Sequence, residues 1–258
     1  MGDRRMKNRY PDLAKQVVFI TGAASGIGAA QAQAFLEQDA FVFGLDQKFG
    51  KMEELSFRFP ETFAYALGDV RQRKELQQAV SKCQNHFGEV TILLNTAGVL
   101  DAYKSLMETD ESLWDLIYET NVKSMYHLTS IILPDMIRRK SGTIINMASI
   151  AGLVAGGGGI AYTSAKHAIV GFTKQLALDY AEQGIRVKGI APGAIQTPMN
   201  AADFEGKGEM AEWVANETPV KRWAQPEEVA ELTLFLASPQ ASYIQGTIIP
   251  IDGGWLLK

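Results

Sequence analysis

The chain has 258 residues, 47% of them hydrophobic and 21% charged, and a net charge of -4. That length and apolar content suffice for a well-packed core, and the mild acidity excludes the electrostatic footprint of a nucleic-acid or acidic-membrane partner. The single cysteine, Cys83, excludes an intramolecular disulfide, and no apolar run approaches the roughly 20 residues of a membrane helix. The N-terminus has no apolar core of a secretory signal, so a cytoplasmic globular protein is expected.

In chain order, Arg4, Arg5, Lys7 and Arg9 precede Pro11, and residues 1–14 are expected to form a solvated, disordered tail. Gln16 to Thr21 (QVVFIT) reads as a buried strand, followed by an Ala-rich helical stretch to about Gln38. Phe41 to Asp46 and Thr62 to Leu67 are two further strands, and Arg71 to Phe87 is an amphipathic helix. Thr91 to Asn95 is a fourth strand, Asp110 to Arg139 a long helix, and Thr143 to Ser149 a fifth strand. Tyr162 to Gln183 is helical, and Ile185 to Ala191 and Thr247 to Asp252 complete the strands. Seven β-rich runs separated by helices predict an α/β fold: one Rossmann domain over 15–258 with a doubly wound, seven-stranded parallel sheet and helices on both faces. Ala194 to Gln225 breaks the rhythm; an excursion of that length is expected to be a substrate-side lid, with a tolerated surface loop as the alternative.

Directly after the first strand comes TGAASGIG, Thr21 to Gly28. Glycines at 22, 26 and 28 let the backbone turn sharply and approach a diphosphate, and Ser25, Ile27 and the following helix N-terminus would offer N–H groups and a positive dipole end. The second strand ends at Asp46, where a carboxylate can accept hydrogen bonds from both ribose hydroxyls of adenosine and repel a 2′-phosphate. Ser25 stands where NADP selection wants an arginine, and Lys48 follows the acid by two residues; NAD is favoured and NADP remains possible. A strand-ending Asp that merely caps a turn is the bland alternative.

After four glycines (156–159), Tyr162 and Lys166 share one helix face at i and i+4. A free phenol titrates at about 10, too high for useful proton exchange at neutral pH, and a neighbouring cation favours the phenolate. Such a tyrosine can give a proton to a carbonyl oxygen or take one from an alcohol. Ser149, ending the fifth strand, is placed to bond the same oxygen. The glycines either line a substrate mouth where bulk would obstruct or simply connect flexibly to the helix.

TGAASGIG, GDV (Gly68 to Val70), NTAG (Asn95 to Gly98), Asn121, Ser149, YTSAK and Pro192-Gly193, in this order, resemble the classical short-chain dehydrogenases/reductases from Gln16 to the terminal IDGGW. The resemblance implies Asp69 and Val70 at the adenine, Asn95, Ala97 and Gly98 along the cofactor, Ile195 beside it, Pro192-Gly193 under it and Thr197 near the nicotinamide amide. It implies Lys166 on the nicotinamide ribose as well as on Tyr162, and Asn121 holding a water that relays protons from Lys166 to solvent. The nearest-looking subgroup is the 3-oxoacyl carrier-protein reductases, alike over the whole length including PVKRWAQPEEVAELTLFLAS. Two departures stand out. Thr96 replaces the family's second asparagine, with a mainly structural consequence, and Leu178 stands where that subgroup carries an arginine to grip its acidic carrier, though Arg138 and Arg139 could supply half of such a patch.

His86, His127 and His167 have no metal-like spacing, and no catalytic metal is expected. Trp213 is the aromatic best placed to meet substrate, with packing as its alternative; Met199 and Phe204 share that ambiguity. The resemblance implies a homotetramer built on the helices 110–139 and 162–183 and on the last strand. An NAD-dependent oxidoreductase acting on a small secondary alcohol or ketone is the expectation. An NADPH-dependent 3-oxoacyl thioester reductase is its rival, and a non-catalytic NAD-binding regulator is the alternative of another class.

Overall fold

The computed structural model describes residues 9–258. Seven strands, β1 (Val17–Thr21), β2 (Phe41–Asp46), β3 (Phe63–Leu67), β4 (Ile92–Asn95), β5 (Gly142–Met147), β6 (Ile185–Pro192) and β7 (Ile248–Ile251), form one sheet in the order β3-β2-β1-β4-β5-β6-β7. Every pairing is parallel. The central strands read as unbroken apolar runs because both of their faces are covered. Along β1, Val18 and Ile20 enter a core with Ala32, Phe35, Val229 and Leu234, while Val17 and Phe19 enter a second core with Leu76, Val80, Leu128 and Met136. The first core carries α1 (Gly26–Leu36), α2 (Lys51–Arg58) and α8 (Pro226–Ala237); the second carries α3 (Arg73–Phe87), α5 (Ser124–Arg139) and α6 (Ile160–Tyr180). The fold is the expected single-domain, doubly wound Rossmann arrangement. Strand order reverses between β1 and β4, and the crevice beyond the carboxyl ends of these strands is where such sheets bind ligands.

Three features depart from the expectations. Of the tail expected over 1–14, residues 1–8 lie outside the described residues, but Pro11–Leu13 is a 3-10 turn: Leu13 is buried in the first core and the Tyr10 N–H donates to Gln38 Oε1 at 2.9 Å. Two apolar side chains suffice to anchor this segment despite its basic flank. The long helix expected over 110–139 is divided into α4 (Glu111–Tyr118) and α5 by a π-turn at Glu119–Lys123, a local widening that recurs at functional sites. The short helix α2 went unread because only Met52 and Leu55 mark its buried side.

The excursion over 194–225 contains a 3-10 segment, Pro198–Phe204, and α7 (Glu209–Glu217). Its two ends are pinned together by a parallel bridge between Ile195 and Ala224. Thr197 and Asn200 cap the 3-10 segment reciprocally, and Trp223 Nε1 donates to Ala211 O at 2.8 Å. The segment is therefore an ordered flap of chain whose two ends are held together.

Candidate active site

The turn after β1 is built by its glycines. Gly22 and Gly26 hold φ of 73° and 52°, a region that L side chains rarely adopt, and a Cβ on Gly28 would collide with the Gly22 carbonyl oxygen. Ser25 precedes α1 without placing a side-chain oxygen over its first turn, so the N–H groups there face the crevice unused. This cradle fits a diphosphate. Asp46 ends β2 beside it; Oδ2 accepts from the Ala24 N–H at 3.1 Å and Oδ1 from the Lys48 N–H at 3.2 Å, so the carboxylate braces the turn while also lining the cavity.

The cavity has a volume of about 820 Å³ and runs from Asp46 and the cradle past Val70, Ala97 and Gly98 to Ser149, Tyr162 and Lys166, closed on the far side by Pro192, Gly193, Ile195 and Thr197. Ser149 Oγ accepts from the Ala151 N–H at 3.1 Å and hydrogen-bonds to Tyr162. Lys166 Nζ lies 5.4 Å from the Tyr162 ring centroid and donates to Met147 O at 2.8 Å. Both side chains are buried, and burial outweighs the expected downward pull on the phenol: Tyr162 is pushed up to about 12 and Lys166 down to about 7.

Three expected residues are not among those lining the cavity. Asn95 is turned into the core, where Nδ2 donates to Asn146 Oδ1 at 2.9 Å and to Thr129 Oγ1 at 3.3 Å. Asp69 is drawn to Arg71, whose guanidinium contacts its Oδ2 at 2.6 Å and holds its carboxyl below the usual range; only its neighbours Gly68 and Val70 line the cavity. Asn121 pairs with the backbone of Val99 through both ends of its amide, at 2.8 and 2.9 Å. That side chain fixes the loop after β4. Asn121 lies within the π-turn.

The four glycines divide in two. Gly156 and Gly157 line the cavity, whereas a Cβ on Gly158 would strike the Tyr162 ring and one on Gly159 would strike Asp101. Asp101, which is 1% exposed, was not singled out from the sequence. Its carboxylate accepts from the N–H groups of Gly159 at 2.8 Å and Tyr162 at 2.9 Å, closing the start of α6. No local pattern marks it, since its partners lie 58 and 61 residues away. Tyr103, Asp203, Met199, Met210 and Trp213 also line the cavity; Phe204 instead packs on Trp223, with ring centroids 4.9 Å apart. Thr96 is structural as expected, donating to Gln31 Oε1 at 2.7 Å. Among the described residues there is no cluster of metal-ligating side chains and no helix long and apolar enough to cross a membrane.

A glycine cradle at the first βα turn and a Ser-Tyr-Lys group on the same crevice define a dinucleotide-fold oxidoreductase. A family model described as enoyl-(acyl carrier protein) reductase matches residues 22–256. The 3β-hydroxysteroid dehydrogenase 2 of Eggerthella lenta is 36% identical over 250 residues, covering 95% of this chain and 96% of that protein. A 3-oxoacyl-(acyl-carrier-protein) reductase of Thermotoga maritima is 34% identical over 246 residues, covering 94% and 98%. The solved structure of levodione reductase superposes with a TM-score of 0.88 at 31% identity, covering 93% of this chain and 97% of that one. The chain belongs to the classical short-chain dehydrogenase/reductase family. It is an NAD(P)-dependent oxidoreductase acting on CH–OH groups of small molecules.

Proposed function

We propose that this enzyme interconverts a secondary alcohol and a ketone with NAD as its preferred cofactor and Tyr162 as general acid/base. The observation that carries the reading is the convergence of Ser149, Tyr162 and Lys166 with the glycine cradle and Asp46 on one cavity. Gly22, Ser25, Gly26, Ile27 and Gly28 would hold the diphosphate, Asp46 the adenosine ribose and Lys166 the nicotinamide ribose, with Val70, Ala97, Gly98, Pro192, Gly193, Ile195 and Thr197 along the remaining length. When bound, the nicotinamide supplies or accepts the hydride. Tyr162, held at about 12 by burial, keeps its proton at neutral pH and donates it to a carbonyl oxygen. Ser149 positions and polarises that oxygen. In the reverse direction Tyr162 takes the alcohol proton, and Lys166 favours that phenolate in its protonated form. Asp101 and Asn121 act one step back: the first fixes the helix start that carries Tyr162, the second the loop beside Lys166.

The NAD preference rests on the Asp46 carboxylate and on Ser25 in place of a cation. The rival reading, NADPH-dependent reduction of a carrier-bound 3-oxoacyl group, draws on the Thermotoga maritima relative. Two observations weigh against it. Leu178 is exposed where a carrier-gripping cation is wanted, and Arg138 and Arg139 are both engaged by Glu89. The intact Ser149, Tyr162 and Lys166 weigh against a non-catalytic regulator. The Eggerthella lenta relative supports a hydroxyl on an apolar carrier. A homotetramer completes the reading, supported by exposed Leu116, Tyr126 and Leu178 on α4, α5 and α6, and a cytoplasmic setting accords with the free, buried thiol of Cys83. Reduction of an acetoacetyl thioester, measured with NADH and separately with NADPH, tests this assignment. The expected result is tight NADH binding with little thioester turnover; fast turnover with NADPH would transfer the assignment to the rival.

A further inference from the structure

Four charged side chains line the cavity, and they are unevenly placed. Asp46 and Lys48 stand at the β2 end and Lys166 lies beside Tyr162, which leaves Asp203 as the one charge that the flap brings to the cavity. The flap also lines the cavity with Met199, Met210 and Trp213, and Leu100 and Ile150 add further apolar lining. No arginine, histidine or further lysine is there to meet an anionic substrate. Asp203 is half-buried, yet among the described residues its carboxylate has no hydrogen-bond or ion-pair partner, and burial raises its pKa. An unpaired, partly desolvated carboxylate is costly and calls for a partner that the chain itself does not provide.

Tyr103 lines the same cavity as this carboxylate, Ser149 and Tyr162. Burial raises the Tyr103 pKa, and the Asp203 and Asp101 carboxylates add to that rise. Ala102 and Tyr103 hold consecutive positive φ angles of 55° and 59°, a strained arrangement for non-glycine residues. It persists because Asp101 Oδ1 accepts the Tyr103 N–H at 3.2 Å, while Lys104 O accepts the Ile160 N–H at 3.0 Å. The same buried carboxylate thus fixes both the start of the helix bearing Tyr162 and the position of Tyr103.

We infer that Tyr103 and Asp203 form the specificity end of the cavity, and that the substrate is an uncharged, largely apolar secondary alcohol or ketone carrying a second hydroxyl, which donates to Asp203. This rests on the alcohol–ketone reading above. The apolar walls take the carbon frame, Tyr162 and Ser149 take the reacting oxygen, and Asp203 reads the other end while repelling a carboxylate placed there. A site built to bond a substrate hydroxyl discriminates strongly against the analogue that lacks it, because its own polar group is then left unpaired.

The test uses three probes: a fused-ring secondary alcohol with a hydroxyl on its far ring, the analogue without that hydroxyl, and the analogue with a carboxylate in its place. For the wild type, Asp203→Asn, Asp203→Ala and Tyr103→Phe, kcat/KM with NAD is measured alongside probe binding by quenching of the Trp213 and Trp255 fluorescence. The expected wild-type preference for the hydroxylated probe is on the order of tenfold or more. In Asp203→Ala that ratio collapses toward one and the carboxylate probe gains, with Asp203→Asn in between. Probe binding that shows this pattern without turnover would overturn the alcohol–ketone reading and leave the specificity assignment standing. A preference that survives in Asp203→Ala, or is absent from the wild type by both readouts, would overturn the specificity assignment.

Discussion

Lys188 is a side chain of β6 that is 0% exposed, and its Nζ donates to Leu236 O at 2.5 Å. Arg186 adds bonds to Ala237 O at 2.9 Å and Ser238 O at 2.7 Å, so the two cations close the carboxyl end of α8. Burial takes Lys188 to about 7, as it does Lys166 at the site. Both lysines therefore bind fewer protons in the folded than in the unfolded chain above pH 7. Stability rises with pH wherever the unfolded state binds more protons, so it climbs from pH 7 toward 9. Above about 9 the direction is opposed, first by Cys83 and then by Tyr162, each held near 12 in the fold and losing its proton earlier when unfolded. Urea midpoints measured between pH 7 and 9 should rise in the wild type, with about half the slope remaining in Lys188→Met; a flat wild-type profile would contradict the burial of both lysines.

Among the elements, the most legible were those covered on both faces. The apolar runs of β1, β2 and β4 have one physical cause, burial by helices on either side, and could hardly be read otherwise. The cradle was legible for a similar reason: glycine spacing reports backbone conformation directly. The side chains flanking it were less so. Asn95 and Asp69 belong to motifs that stand beside the cavity, but Asn146 and Arg71 are the partners that win their polar groups. The π-turn at Glu119–Lys123 and the cap by Asp101 depend on partners far along the chain, such as Val99 and Tyr162, and leave no periodic signal. Thr96 shows how such a tie works across elements. Its hydroxyl donates to Gln31 of α1, whose amide donates in turn to Thr233 of α8 at 2.9 Å, the second bond buried. Thr96→Val keeps the shape but strands the Gln31 carbonyl oxygen, and should cost about 1–3 kcal/mol in urea denaturation. A loss indistinguishable from zero would mean that this chain of bonds holds nothing together.

At the scale of the molecule, the sheet supplies the floor of the cavity and the segment 194–225 a side wall, so the proposed chemistry and the proposed selectivity belong to different parts of the chain. The floor residues Ser149, Tyr162 and Lys166 hang from β5 and α6, two of the most enclosed elements, while Asp203, Met199 and Trp213 ride on the flap. The α4–α6 surface leaves Leu116, Tyr126 and Leu178 exposed, and sedimentation equilibrium should give a particle of four chains; a monomer at micromolar concentration would contradict that assembly. The central claim, that Tyr162 moves the proton while the cradle holds NAD independently of it, is tested most directly by Tyr162→Phe, with ketone turnover and NADH affinity measured on the same samples. The account predicts a fall in kcat of about 10²–10⁴ with NADH affinity kept. Near-wild-type turnover in that variant would contradict it.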